Sequence, residues 1–148
     1  MTARYREMVP GDVLKKVSEL SAAFLTPKTE EHLQFAYFES GLVVEFLVQR
    51  FGLEALKTIL ADLGAGVEIN QALANHTVPI AQLDKDFAGF ARAQATKFGP
   101  DLDWDKPSPA ELARADEVWF TMHSKNYYAL NHQARSLLRA KKWAETEK

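Results

Sequence analysis

Residues 31–52 read EHLQFAYFESGLVVEFLVQRFG, and this stretch decides the fold. Thr29 before it and Gly52 at its end mark one helix, because threonine caps helix N-termini and glycine favours helix C-termini. At 100° per residue its apolar side chains fall on two faces. The broad face comprises Leu33, Ala36, Tyr37, Ser40, Gly41, Val43, Val44, Leu47, Val48 and Phe51. The aromatic stripe, nearly opposite, comprises Phe35, Phe38, Leu42 and Phe46.

Two apolar faces leave two interpretations of this helix. In the first, helices of the same chain cover both faces, and the small residues Ser40 and Gly41 allow one of them to approach closely. In the second, the aromatic stripe packs against a domain or subunit outside this chain, since bare aromatic side chains form the apolar patch typical of an interface. The partner is then a protein: a missing N-terminal domain, a separate protein, or a second copy in a homodimer.

Composition restricts the classes of function. With 18 Lys and Arg against 20 Asp and Glu, the 148 residues carry a net charge of −2, which argues against nucleic-acid binding. The absence of cysteine excludes disulfides, thiolate nucleophiles and sulfur-ligated metal sites. The sequence contains neither a signal-peptide segment nor a membrane span. It therefore predicts a soluble chain, and its compartment is unknown.

The spacing of apolar residues predicts an all-α fold of six to seven helices with no sheet, arranged as a bundle or a short array of helical hairpins. Residues 1–10 are predicted to be irregular, and Asp12 is predicted to cap the first helix. The expected helices span residues 13–24, 30–51, 53–63, 67–75, 80–98, 109–123 and 126–140.

One break in composition divides the chain. Residues 100–108 are rich in proline and aspartate and predict a linker, which Trp104 attaches to a neighbouring surface. Residues 1–99 then form a helical subdomain, and residues 109–148 form a helical hairpin. The sequence Ser108-Pro109-Ala110-Glu111 predicts a capped helix start, with proline at the first helical position.

Landmarks on the long helix are shared with a known family. They are Ala36-Tyr37-x-x-Ser40, Val43-Val44-Glu45-Phe46-Leu47-Val48 and Arg50-Phe51-Gly52, continued by Leu63-Gly64-Ala65-Gly66, Gln71-Ala72-Leu73 and Leu83-Asp84-x-Asp86-Phe87. Residues 12–98 on this basis resemble the helical part that follows the catalytic helices in peptidase-MA-like, gluzincin-type zinc metallopeptidases. The resemblance implies a helical subdomain beside a zinc-binding domain.

The zinc motif of that family is absent from this chain. A gluzincin uses H-E-x-x-H, which places two histidines one helical turn apart with a general-base glutamate between them. None of the four histidines has a second histidine four residues away, and none precedes a glutamate; they are His32, His76, His123 and His132. The resemblance therefore implies no catalytic, cofactor-binding or metal-binding residue here, and zinc is expected only if a catalytic domain lies upstream. The chain is predicted to support that domain without catalysing a reaction itself.

The C-terminal region resembles a second family. Residues 126–145 are similar to the first helix and turn of a tetratricopeptide repeat, with Leu130, Ala134, Leu137 and Trp143 at the apolar places of the pattern. A plain helical hairpin is the other interpretation. If the resemblance holds, the alternative function is that of a stand-alone, all-helical scaffold for protein–protein interactions.

The polar residues on and near the long helix are predicted to have structural roles. Glu39 and Glu45 lack paired histidines and are expected to be solvated or to bridge other groups. The ring of Tyr37 is expected to fill the core while its hydroxyl finds a polar partner. Asp84 and Asp86 are expected to face solvent.

Overall fold

The computed structural model describes residues 1–140. Within that range it contains eight α-helices, a 3-10 turn at Val17–Glu19 and no strand, apart from an isolated bridge between Asp103 and Asn126. The all-α prediction is therefore confirmed, with one helix more than the largest number expected. The helices are α1 Ala3–Met8, α2 Leu20–Leu25, α3 Glu30–Gly64, α4 Ile69–His76, α5 Ile80–Lys97, α6 Pro109–Ala113, α7 Glu117–Met122 and α8 Tyr127–Arg139.

The chain divides into two compact units, Met1–Phe98 and Gly99–Lys148. The predicted boundary at residue 99 lies next to this division. The first unit holds α1 to α5, and the described part of the second unit holds α6 to α8.

Helix α3 breaks at Gly52, whose φ of 83° and ψ of 165° are not helical. This backbone conformation is open to glycine and strained for other residues. The break separates the two helices that the sequence predicted at 30–51 and 53–63. The predicted N-cap is confirmed as well, since the Thr29 hydroxyl accepts a hydrogen bond from the His32 N–H.

The aromatic stripe lies in the core of the first unit. Phe35, Leu42 and Phe46 are between 1% and 5% exposed, and Phe38 is half-buried and packs against that core. The Phe46 ring lies 5.8 Å from the Phe87 ring. The stripe thus packs against helices of this chain and is not an exposed interface, which agrees with the first of the two interpretations. That interpretation also expected the broad face to be covered, but Tyr37 and Val44 on that face are exposed.

The N-terminal predictions were wrong. Residues 3–8 form a helix capped by Thr2, and the segment predicted as one helix at 13–24 is a turn followed by the 3-10 turn and the short α2. Two distant carboxylates explain the difference. Glu39 accepts the backbone N–H of Lys15, and Asp84 accepts both the N–H and the hydroxyl of Ser18 at 3.0 and 2.8 Å. These bonds hold the segment in a non-helical path. The prediction that Asp84 faces solvent was wrong, because its carboxylate binds Ser18.

In the second unit, the helix predicted at 109–123 is two helices, α6 and α7. The predicted start is confirmed: Ser108 and Glu111 form a capping box, with Pro109 in the first turn. The second start was missed. The carboxylate of Asp116 accepts the Trp119 N–H at 2.8 Å, and such a cap competes with continuation of the preceding helix.

The segment predicted as a linker is bound to the start of α8. The Asp103 N–H donates to Lys125 O at 2.9 Å, and the Trp104 ring stacks on Tyr127 at 4.5 Å. Asn126, only 2% exposed, donates to the Asp103 carboxylate and to Asp105 O. Residues 100–108 therefore belong to the packing of the second unit. Of the repeat-like pattern, Trp143 lies outside the described residues.

We expect Asn126→Ala to destabilise the second unit by about 2 kcal/mol, because it removes both hydrogen bonds to the 100–108 segment and the side-chain cap of α8. Hydrogen exchange at the Tyr128 and Ala129 amides would measure the effect. Gln133→Ala, at an exposed position of the same helix, is the control. Equal protection of these amides in both variants would contradict the role of Asn126.

Two glycines of α3 give a paired test of backbone conformation. A Cβ added at Gly41 would have no other atom within 4 Å. The predicted close approach of another helix therefore does not occur at this position. We expect Gly41→Ala to stabilise the protein by about 0.5–1 kcal/mol, since alanine is the better helix former. Gly52→Ala also meets open space but places a side chain at φ 83°, and should destabilise by about 1–3 kcal/mol. Urea denaturation followed by circular dichroism measures both; effects of the same sign would contradict the break at Gly52.

Candidate functional site

An apolar groove of about 270 Å³ lies on the first unit, on the broad face of α3. Helix α2, both halves of α3 and helix α4 form its walls. We call it the α3 groove. It is lined by Val17, Ser18, Leu20, Ser21, Phe24, Ser40, Val43, Val44, Leu47, Leu56, Ile59, Leu60, Leu63, Ile69 and Leu73.

Among the described residues 1–140, the lining of the α3 groove carries no charged side chain, and its polar residues are three serines. Large apolar side chains at the groove remain in contact with solvent: Leu60 is 59% exposed, Val44 47% and Ile69 38%. A contiguous surface of this kind marks binding sites for proteins or apolar ligands.

The groove exists because α2 is too short to cover α3. Six residues of helix span about 9 Å, whereas the part of α3 before Gly52 is more than three times as long. Tyr37 shows the consequence. Its ring contacts Phe24 edge-on at 5.1 Å but is 65% exposed, so the prediction that it fills the core was wrong.

A second, smaller space of about 150 Å³ lies on the other side of α2. We call it the Glu39 cavity. His32, Phe35 and Glu39 line it from one face of α3, since they are three and seven residues apart. The remaining lining comes from the segment before α2, from α2 and from the turn after it, namely Asp12, Val13, Lys15, Ala22, Ala23, Thr26 and Lys28.

Glu39 is a buried carboxyl group, 1% exposed, so the prediction that it is solvated was wrong. The other predicted role, bridging, agrees with its bond from the Lys15 N–H, which joins α3 to the N-terminal segment. Its Oε1 accepts the Lys15 N–H, while its Oε2 accepts no hydrogen bond within residues 1–140. Burial raises the pKa of Glu39 from its ordinary 4.5 to about 7, and the hydrogen bond and charge of Lys15 oppose that rise. Glu45 on the same helix is exposed, and its carboxylate accepts a hydrogen bond from the Gln49 side-chain amide.

The spacing of the sequence contains a signal for this burial. Glu39 stands four residues after Phe35 and three before Leu42, so it lies within the aromatic stripe. A carboxyl in such a position is surrounded by apolar side chains.

Across the described range 1–140, no three side chains of His, Cys, Asp or Glu lie close enough together to hold a metal ion. The histidines have other contacts. His76 Nε2 lies 2.8 Å from the Asp62 carboxylate, and His32 Nδ1 lies 2.7 Å from the Thr29 hydroxyl. No helix in this part of the chain combines the length and apolarity needed to cross a membrane.

Comparison of the chain with protein families, with curated proteins and with solved structures finds no match. The resemblances to peptidase-MA-like proteins and to tetratricopeptide repeats thus remain predictions from the sequence.

The raised pKa of Glu39 makes stability depend on pH. Below about pH 4.5 the carboxyl is protonated in both the folded and the unfolded chain; as the pH rises toward 7, the unfolded chain loses this proton first, which favours unfolding. Glu39→Gln cannot ionise. We therefore expect the free energy of unfolding of the variant, relative to that of the wild type, to increase by on the order of 2 kcal/mol between about pH 5 and pH 8.

Urea denaturation of both proteins at the two pH values measures this gain. Glu45→Gln is the control, because it removes a carboxylate from an exposed position on the same helix. If the difference between Glu39→Gln and wild type is the same at both pH values, Glu39 is not an ionisable buried group.

Proposed function

We propose that this chain is a non-catalytic helical subdomain of a larger peptidase-MA-like zinc metallopeptidase, and that the α3 groove is the surface by which it packs on the zinc-binding domain. The resemblance of residues 12–98 supports the family. The observation that carries the interaction is the uncharged groove with Val44, Leu60 and Ile69 exposed at it. An uncharged lining favours an apolar protein surface, since a charged group would lose its hydration there without gaining a partner.

The coding sequence upstream of Met1 provides the first test. A helix bearing H-E-x-x-H in the same reading frame is the expected result, and the domain that contains it is then expressed separately. Its affinity for this chain is measured by isothermal titration calorimetry.

We expect Leu60→Glu to weaken that binding at least tenfold, because it places a charge in the apolar contact. Leu53→Glu is the matched control. Leu53 lies in the same half of α3 and is similarly exposed, at 54% against 59%, but does not line the groove. The control should bind as the wild type does; equal affinities of the two variants would overturn the proposal for the groove.

The alternative function, a scaffold for protein–protein interactions, is favoured by a separate observation. In the second unit Val118 and Met122 of α7 are 66% and 77% exposed, which leaves apolar surface on a helical hairpin-like element. A start codon at Met1 with no zinc motif upstream would favour this function. Sedimentation that shows a dimer disrupted by Leu60→Glu would assign the groove to a second copy of the chain and exclude the zinc domain as its occupant.

A further inference from the structure

Beside the Glu39 cavity lies a buried hydrogen-bond acceptor that has no donor among residues 1–140. Oε2 of Glu39 is buried and accepts nothing from residues 1–140, although the cavity of about 150 Å³ adjoins the side chain. Buried polar atoms in native proteins almost always have partners, because an unsatisfied one costs free energy. The site thus combines an unpaired acceptor with space for a group that could donate to it.

The charge of Glu39 determines which donor suits the cavity. A buried carboxylate repels anions. A metal ion needs several protein ligands, and no group of three ligating side chains occurs within residues 1–140. An ammonium group needs only one carboxylate, since it brings three N–H donors and a full positive charge.

We propose that the Glu39 cavity binds a primary ammonium group on a short aliphatic chain, with the Glu39 carboxylate as its hydrogen-bond acceptor. The aliphatic chain contacts Val13, Ala22, Ala23 and Phe35. The volume accommodates roughly five or six non-hydrogen atoms, which is the size of a butylammonium ion. Oε2 has almost no accessible surface, so binding requires a rotation about the terminal torsion of Glu39, whose energy minima are broad in glutamate.

The other polar and charged groups of the lining suit an ammonium group less well than Glu39 does. Among them, the Thr26 hydroxyl donates to Ala22 O at 3.3 Å. Asp12, Lys15 and Lys28 are exposed, so water and salt weaken their effect on the ligand, although the charge of Lys15, which also acts on Glu39, opposes the binding of a cation. The His32 ring already contacts the Thr29 hydroxyl. Helix α2 contributes no charged side chain to the lining.

The Lys15 amide gives a direct readout, because its N–H donates to Glu39. Titration of ¹⁵N-labelled protein with n-butylammonium chloride at about pH 8, above the pKa of about 7 at which Glu39 ionises, and at constant ionic strength should shift the Lys15 amide signal saturably, with a dissociation constant of roughly 1 mM. The neutral analogue n-butanol should bind at least tenfold more weakly, since it lacks the charge that strengthens the hydrogen bond.

Variants separate the carboxylate from the fold. Glu39→Gln should weaken butylammonium binding about tenfold to a hundredfold, whereas Glu45→Gln on the same helix should leave it unchanged. Ala22→Leu keeps Glu39 and enlarges a side chain of the cavity lining, and should weaken binding. Ala22 is exposed, so this variant provides a test if Glu39→Gln does not fold.

Three results would overturn the proposal: no saturable shift of the Lys15 amide, equal binding of butylammonium and butanol, or undiminished binding by Ala22→Leu. The proposal does not depend on the proposed function. Leu60→Glu in the α3 groove should leave butylammonium binding unchanged, because Leu60 is not part of the cavity lining.

Discussion

The Phe46 ring lies 5.8 Å from Phe87 and 5.4 Å from Phe90, and this contact of α3 with α5 organises the first unit. Phe35 extends the same stripe to Tyr5 of α1, with ring centroids 5.6 Å apart. Burial of aromatic side chains is a leading contribution to core stability, and it fixes which face of α3 points inward. Within the described part of the first unit, the short helices α2 and α4 and the half of α3 after Gly52 lie at the opposite, broad face, and they leave part of it in contact with solvent.

Two carboxylates on the packed helices determine the path of the N-terminal segment. Glu39 of α3 and Asp84 of α5 bind backbone N–H groups at Lys15 and Ser18, 24 and 66 residues away in the chain. The backbone is held where it would otherwise have formed helix, so that α2 begins only at Leu20. The cost of burying Glu39 is offset in part by this hydrogen bond.

Local signals in the sequence predicted what local interactions determine. The caps at Thr29 and Ser108 and the break at Gly52 depend on residues within one helical turn, and each was found. The helix predicted at 13–24 failed because its competitors, Glu39 and Asp84, come from other elements. The burial of Glu39 could have been predicted from its position within the aromatic stripe. The partial exposure of the broad face, where Tyr37 and Val44 are exposed but Val43 and Leu47 are buried, could not have been predicted in this way, because helical spacing shows that a face is apolar but not what covers it.

Helix α2 is a wall common to both spaces. Leu20, Ser21 and Phe24 line the α3 groove, whereas Ala22 and Ala23 line the Glu39 cavity. A six-residue helix buries little surface of its own, so its position depends on the contacts made on either side. A displacement of α2 that widens one space changes the other at the same time. The groove and the cavity are therefore chemically distinct, one uncharged and one built around a carboxyl group, but they are mechanically joined through this helix.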